Sequence, residues 1–255
     1  MATLHPYVVA LEKFVRATVA DAGDQESLLG DLAQYGTAIT NDPRDATKAN
    51  CELLRATLDT LFIQAQTLYG EGTAIKRHAR PIYVDHPRSK VAPLVDSPDV
   101  FAVAVSRLFG SWEAAFYEIA HESIHLLGPV AIIESTPIAT LDEGVAVRYA
   151  ETMYREHITA YTDQPPTHSP LKGLYGIDEP YFRSYQAVKD VTDATLHALR
   201  QSFGGFSVAF DPIRILEIAC EELSVDQAEV LAAPFDYHYC RRSTLGCGSK
   251  QAMQL

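Results

Sequence analysis

Apolar residues recur at helical spacing near the start of the chain, where Val8, Leu11, Phe14, Val15 and Val19 follow Pro6, a residue suited to the first turn of a helix. A second helix is expected over Glu26 to Tyr35. Asp42 before Pro43 reads as the start of a third, which would carry Leu53, Leu54, Leu58, Leu61, Phe62 and Ala65 until Gly70 and Gly72 end it. The pattern then changes. Pro81 to Val84 and Asp99 to Val105 are short runs rich in β-branched and aromatic residues, bounded by Pro, Asp and Ser, and read as strands of a small sheet. Helical patterning returns at Trp112 and dominates to about Leu231, with Thr162 to Pro180 as a long turn-rich loop. The expected fold class is α+β, mostly helical. Residues 1–255 are expected to form one domain with two lobes, a helical and small-sheet lobe over about 1–127 and a helical lobe over about 128–255.

Charge and composition narrow the partners. With 21 Lys and Arg against 33 Asp and Glu, the net charge of −12 repels phosphate backbones and anionic lipid surfaces, so neither nucleic acid nor membrane is an expected partner. Glu12, Lys13, Arg16 and Asp21 interrupt the opening segment, which therefore does not read as a signal peptide. No run approaches the roughly 18 apolar residues of a membrane span, and the expected location is the cytoplasm. Cys51, Cys220, Cys240 and Cys247 lack the close pairing of structural zinc or redox motifs and read as reduced thiols, although Cys240 and Cys247 could pair in an oxidising compartment.

The chemistry is carried by HExxH at His121 to His125. Residues four apart lie one above the other on a helix, so the two imidazoles can share one metal ion. Glu122 lies about 100° around the helix from His121, where it suits a general base acting on water rather than a third ligand. On the same wheel Trp112, Phe116, Ile119, Leu126 and Leu127 form an apolar face, with both histidines roughly opposite and Glu118 beside them. Two hydrogen-bonded helix histidines would produce the same spacing without a metal. A third ligand is therefore the discriminating feature, because catalytic zinc sites keep three protein ligands and an open position. Glu143 fits, standing in line with Val147, Ala150 and Tyr154 on a second amphipathic helix, where a buried carboxylate needs a charged partner. Its other reading is a capping box with Thr140.

HESIH at 121–125 and LDEGVA at 141–146, with seventeen residues between His125 and Glu143, resemble the gluzincin metallopeptidases, the group of thermolysin and aminopeptidase N. The resemblance covers residues 112 to 156. It implies a zincin-like, two-lobed catalytic domain with a small mixed sheet and a cleft between the lobes. It also implies one zinc ion per chain held by His121, His125 and Glu143, Glu122 as the general base, and a peptide or protein as substrate. Gly144 would let the Glu143 helix approach the HExxH helix, and the strand before that helix would be an edge strand that pairs with extended substrate. For the oxyanion-stabilising group the resemblance points to Tyr185, although Gln186, Ala187 and Val188 depart from the family's Tyr-x-Lys-Gly; His197, Tyr149 and Tyr239 compete for the role. The aminopeptidase substrate-anchoring motif Gly-x-Met-Glu-Asn is absent from the sequence. The alternative from another class is a zinc-binding regulator without catalytic activity, against which the presence of a base at Glu122 argues.

Overall fold

The structure, a computed structural model, describes residues 39–73, 76–129, 136–159, 166, 169–172 and 179–237. The helices expected after Pro6 and over Glu26 to Tyr35 lie outside these residues, as does most of Thr162 to Pro180. The described residues are mostly helical with one small sheet, an α+β arrangement. They divide into two compact units: residues 39–129 with 149–159 and 166 belong to the first, and residues 136–148 with 169–237 to the second.

The first unit begins with α1, Lys48–Tyr69, whose core side consists of Leu53, Leu54, Leu58, Leu61 and Ala65, all buried. The expected start at Asp42 is corrected. Thr47 caps the helix by accepting from the Asn50 amide at 3.1 Å, while the Asp42 carboxylate accepts from the Arg44 amide and guanidinium and shapes a turn instead. Arg44 accordingly holds the Asp42 carboxyl below the usual carboxylate range. The expected end holds, because Gly70 at φ 89° accepts a backbone conformation that other residues rarely adopt.

The sheet comprises β1, Lys76–Arg77; β2, Ile82–Val84; β3, Lys90–Leu94; and β4, Ser97–Ser106. β4 pairs with β1 and β2 in parallel and with β3 in antiparallel register. Phe101 faces both Arg77 and Pro93, and Ala104 faces both Ile82 and Lys90, so β3 runs along one flank of β4 while β1 and β2 follow one another along the other. The strand before the motif helix is therefore the central strand, contrary to its expected place at an edge. Its residues explain this, since Ala102, Val103, Ala104 and Val105 are buried in succession rather than alternately, the pattern of a strand covered on both faces.

From β4 the chain turns into α2, Trp112–His125, capped by Ser111, whose hydroxyl accepts from the Ala114 amide at 3.1 Å. A polar relay ties the starts of α1 and α2 together. The buried Asn50 side chain accepts from the Thr40 amide and donates to the carbonyls of Asp42 and Asp45, and Trp112 Nε1 donates to the Thr40 carbonyl at 2.8 Å. Later in the chain α3, Thr140–Tyr154, sends its last residues into this unit. There the Tyr149 hydroxyl donates to the Leu61 carbonyl at 2.6 Å, and the Tyr117 hydroxyl donates to Glu151 at 2.9 Å.

The second unit holds the first part of α3 and four further helices: α4, Glu179–Val188; α5, Asp193–Phe203; α6, Pro212–Ala219; and α7, Val225–Ala232. Thr192, Asp211 and Ser224 cap the last three, Ser224 through a capping box with Gln227. No helix among the described residues is long and apolar enough to cross a membrane.

Asn50→Ala strips partners from the Thr40 amide and from two carbonyls at once, and should lower the unfolding free energy by about 2–3 kcal/mol in urea titrations. A loss below about 0.5 kcal/mol would show that the 39–47 turn is held by other contacts.

Candidate metal centre

The lining of α2 decides what it can present. Trp112 to Tyr117, Ile119, Ala120, Glu122, Ser123 and Ile124 are all buried, and Glu118, His121 and His125 form the half-buried stripe. This is the orientation the helical wheel predicts. The end of the helix is held by its own last turn and by the Thr73 amide, which donates to the Leu127 carbonyl at 2.9 Å.

On that stripe the two imidazole rings stand 4.9 Å apart at 69°, and their Nε2 atoms approach to 3.1 Å. Two imidazolium N–H groups cannot face each other at this distance, so at least one nitrogen presents its lone pair. Two Zn–N bonds of about 2.0–2.1 Å at a tetrahedral angle separate their nitrogens by about 3.3 Å, close to the spacing found. Glu122 completes a cluster whose three ligand-type atoms all lie within 4.8 Å of one another. Its carboxylate is buried, with only 4% of the residue exposed. The two imidazole nitrogens fit as ligands of a divalent, nitrogen-preferring ion such as zinc, with the Glu122 carboxylate beside them.

Comparison of the chain with protein-family models, curated proteins and solved structures finds no match. The residues and their geometry carry the functional argument by themselves.

Glu143 lies in the second unit, in the first turn of α3, and is 3% exposed. The Tyr237 hydroxyl donates to its Oε1 at 2.5 Å. Burial raises the Tyr237 phenol pKa well beyond its ordinary range, and the Glu143 charge adds to the effect, so the phenol remains a donor at any physiological pH. Thr140 is already inside α3, and its hydroxyl donates to the Ala233 carbonyl at 2.8 Å, so the capping-box reading of Thr140 is not the arrangement found. Asp142 is buried as well, and its charge opposes the lowering that burial imposes on the buried Arg200 guanidinium.

Gly144 does admit a close approach, but the neighbour is α4. A Cβ at Gly144 would lie 2.7 Å from the Ser184 carbonyl oxygen and 3.3 Å from a Val188 methyl. This contact fixes the Glu143 turn against the helix that carries Tyr185, which is half-buried on α4. Of Tyr185's competitors, Tyr149 is committed to the Leu61 carbonyl, His197 approaches the Gln201 amide at 2.7 Å, and Tyr239 lies outside the described residues. Tyr237 was missed by sequence reasoning. It lies 94 positions beyond its partner with no motif around it, and the only signal was the requirement that a buried carboxylate find a partner.

Gly144→Ala drives a methyl into helix backbone that cannot step aside as a side chain could. It should destabilise the chain by about 1–3 kcal/mol in chemical denaturation, whereas an unchanged midpoint would mean that α4 shifts at no cost.

Proposed function

We propose that this chain is a zinc-dependent hydrolase, most simply a peptidase of gluzincin type, with His121 and His125 as ligands, Glu143 as third ligand and Glu122 as general base. The observation that carries the reading is the 3.1 Å convergence of the two Nε2 atoms beside a buried carboxylate on one helix. The zincin-like, two-lobed form of the domain belongs to the same proposal, supported by a mixed sheet whose central strand leads directly into the motif helix. A cytoplasmic location suits the free thiols of Cys51 and Cys220.

A zinc ion supplies a Lewis acid that polarises a substrate carbonyl and brings the pKa of water to about 7. The imidazoles of His121 and His125 offer neutral nitrogen lone pairs from a fixed helix face. Glu122 takes the proton released as water adds to the carbonyl carbon. It then delivers that proton to the leaving amine nitrogen as the C–N bond breaks, so one carboxylate serves as base and acid in turn. Burial keeps Glu122 beside the imidazole pair and limits competing solvent. The donor to the developing oxyanion is assigned to Tyr185 on the family resemblance.

Elemental analysis of the purified full-length chain should find about one zinc per molecule, lost in His121→Ala and in Glu143→Ala. Glu122→Gln should retain the zinc while turnover of a fluorogenic peptide library falls by about 10²- to 10⁴-fold. Absence of zinc after reconstitution near neutral pH would refute the proposal. Zinc retained without turnover in the wild type would leave a binding protein in place of an enzyme.

A further inference from the structure

The Tyr237 contact is built from two strips of chain that are far apart in sequence and joined along their length. The Thr140 amide and hydroxyl both donate to the Ala233 carbonyl, Ala139 bridges Pro234, and the Phe235 amide donates to the Ile138 carbonyl at 2.9 Å. Phe235 and Ile138 are buried together, with Tyr181 and Tyr237 packed on them. The Phe235 ring lies 4.9 Å from both the Tyr181 and the Tyr237 rings. Residues 138–140 lead into the first turn of α3, which carries Glu143, so the join sets the position of Tyr237 relative to Glu143 through covalent and hydrogen-bonded links of only a few residues. The hydroxyl ends on Glu143 Oε1.

We propose that Tyr237 is a positioning residue for Glu143, holding one carboxylate oxygen so that the other is the one offered to the metal. The role rests on reading Glu143 as a ligand. A phenol has a single proton to donate, so it restrains one oxygen and leaves the lone pairs of the second to serve as a monodentate ligand. A short carboxylate side chain that is both buried and tethered loses little further freedom when it binds an ion, and hydrogen-bond partners of this kind commonly contribute 10- to 100-fold to metal affinity. The join between the two strips explains why the hydroxyl comes from residue 237. The pairing of 233–235 with 138–140 brings that segment to the first turn of α3.

The test uses metal-free full-length chain and zinc alone, with dissociation constants read by competition with a chromophoric chelator. Wild type is measured first, then Tyr237→Phe, Glu143→Ala, the double variant, and Phe235→Leu, which loosens the ring under Tyr237 but keeps its hydroxyl. Tyr237→Phe should weaken zinc binding by about 10- to 100-fold, and Phe235→Leu by a smaller factor. In the Glu143→Ala background Tyr237→Phe should have no further effect, a coupling that a merely structural tyrosine would not produce. Unfolding transitions in the presence of a strong chelator report whether each variant is folded. Equal affinities for wild type and Tyr237→Phe, or equal weakening in both backgrounds, overturn the proposal. Wild type that binds no zinc overturns the metal reading itself, and wild type that binds zinc as tightly as Glu143→Ala removes Glu143 from the ligands.

Discussion

Rotational locking of one helix is the constraint on which the candidate centre depends. Two histidines four residues apart share a metal only if their common face is kept off the core, and a helix that turned by one residue would swing that face through about 100°. α2 cannot turn, because Trp112 is buried with its Nε1 bonded to the Thr40 carbonyl, Phe116 packs edge-on against Tyr154 with centroids 6.2 Å apart, and Tyr117 reaches Glu151. Each of these residues lies on the same helix as the motif and within three turns of it. Burial of the remaining circumference therefore fixes the direction of the stripe that carries Glu118, His121 and His125.

Glu143 presents the opposite problem. Its helix turn is buried, so the cost of removing a carboxylate from water has to be offset by groups that the fold brings to it. The second unit answers with contacts of long sequence separation: Ser184 backbone against Gly144, Ala233 carbonyl on Thr140, and the Tyr237 hydroxyl on the carboxylate. A polar group at the start of a helix is thus embedded by later parts of the chain. The same unit also buries Asp142 and Arg200, and the Asp142 charge offsets part of the lowering that burial imposes on the Arg200 guanidinium.

The difference between these two situations accounts for how much was legible in the sequence. The orientation of His121 and His125 follows from periodicity within fourteen residues, and a helical wheel reads it directly. The apolar stripe of Leu53, Leu58 and Leu61 and the stop at Gly70 are equally local. The start of α1 was misplaced because Asp42 and Thr47 are both competent caps, and the choice is made by Arg44 taking the Asp42 carboxylate. The place of β4 in the sheet was misread because the edge position was taken from the family resemblance, whereas its unbroken run of buried small and β-branched residues is the pattern of a covered strand. Gly144 was read as a point of close approach, and it is one, but glycine does not encode its neighbour. Tyr237 is one of thirteen tyrosines, and its contact with Glu143 depends on a pairing of segments about 95 residues apart.

Two buried glutamates within about twenty residues of each other have different surroundings. Glu122 is clustered with two imidazole nitrogens, the setting that the proposed general base requires. Glu143 is held by a phenol that burial and the carboxylate's own charge keep protonated, and one of its oxygens is already an acceptor in a fixed bond. A side chain anchored in that way is poorly suited to swing toward a substrate and take up a proton, whereas it is well suited to hold a charge in one place. Residue type does not distinguish the two carboxylates, and neither does burial, at 4% and 3% exposure. The distinction lies in the groups each one faces, and the proposed division of proton transfer and coordination between them rests on that difference.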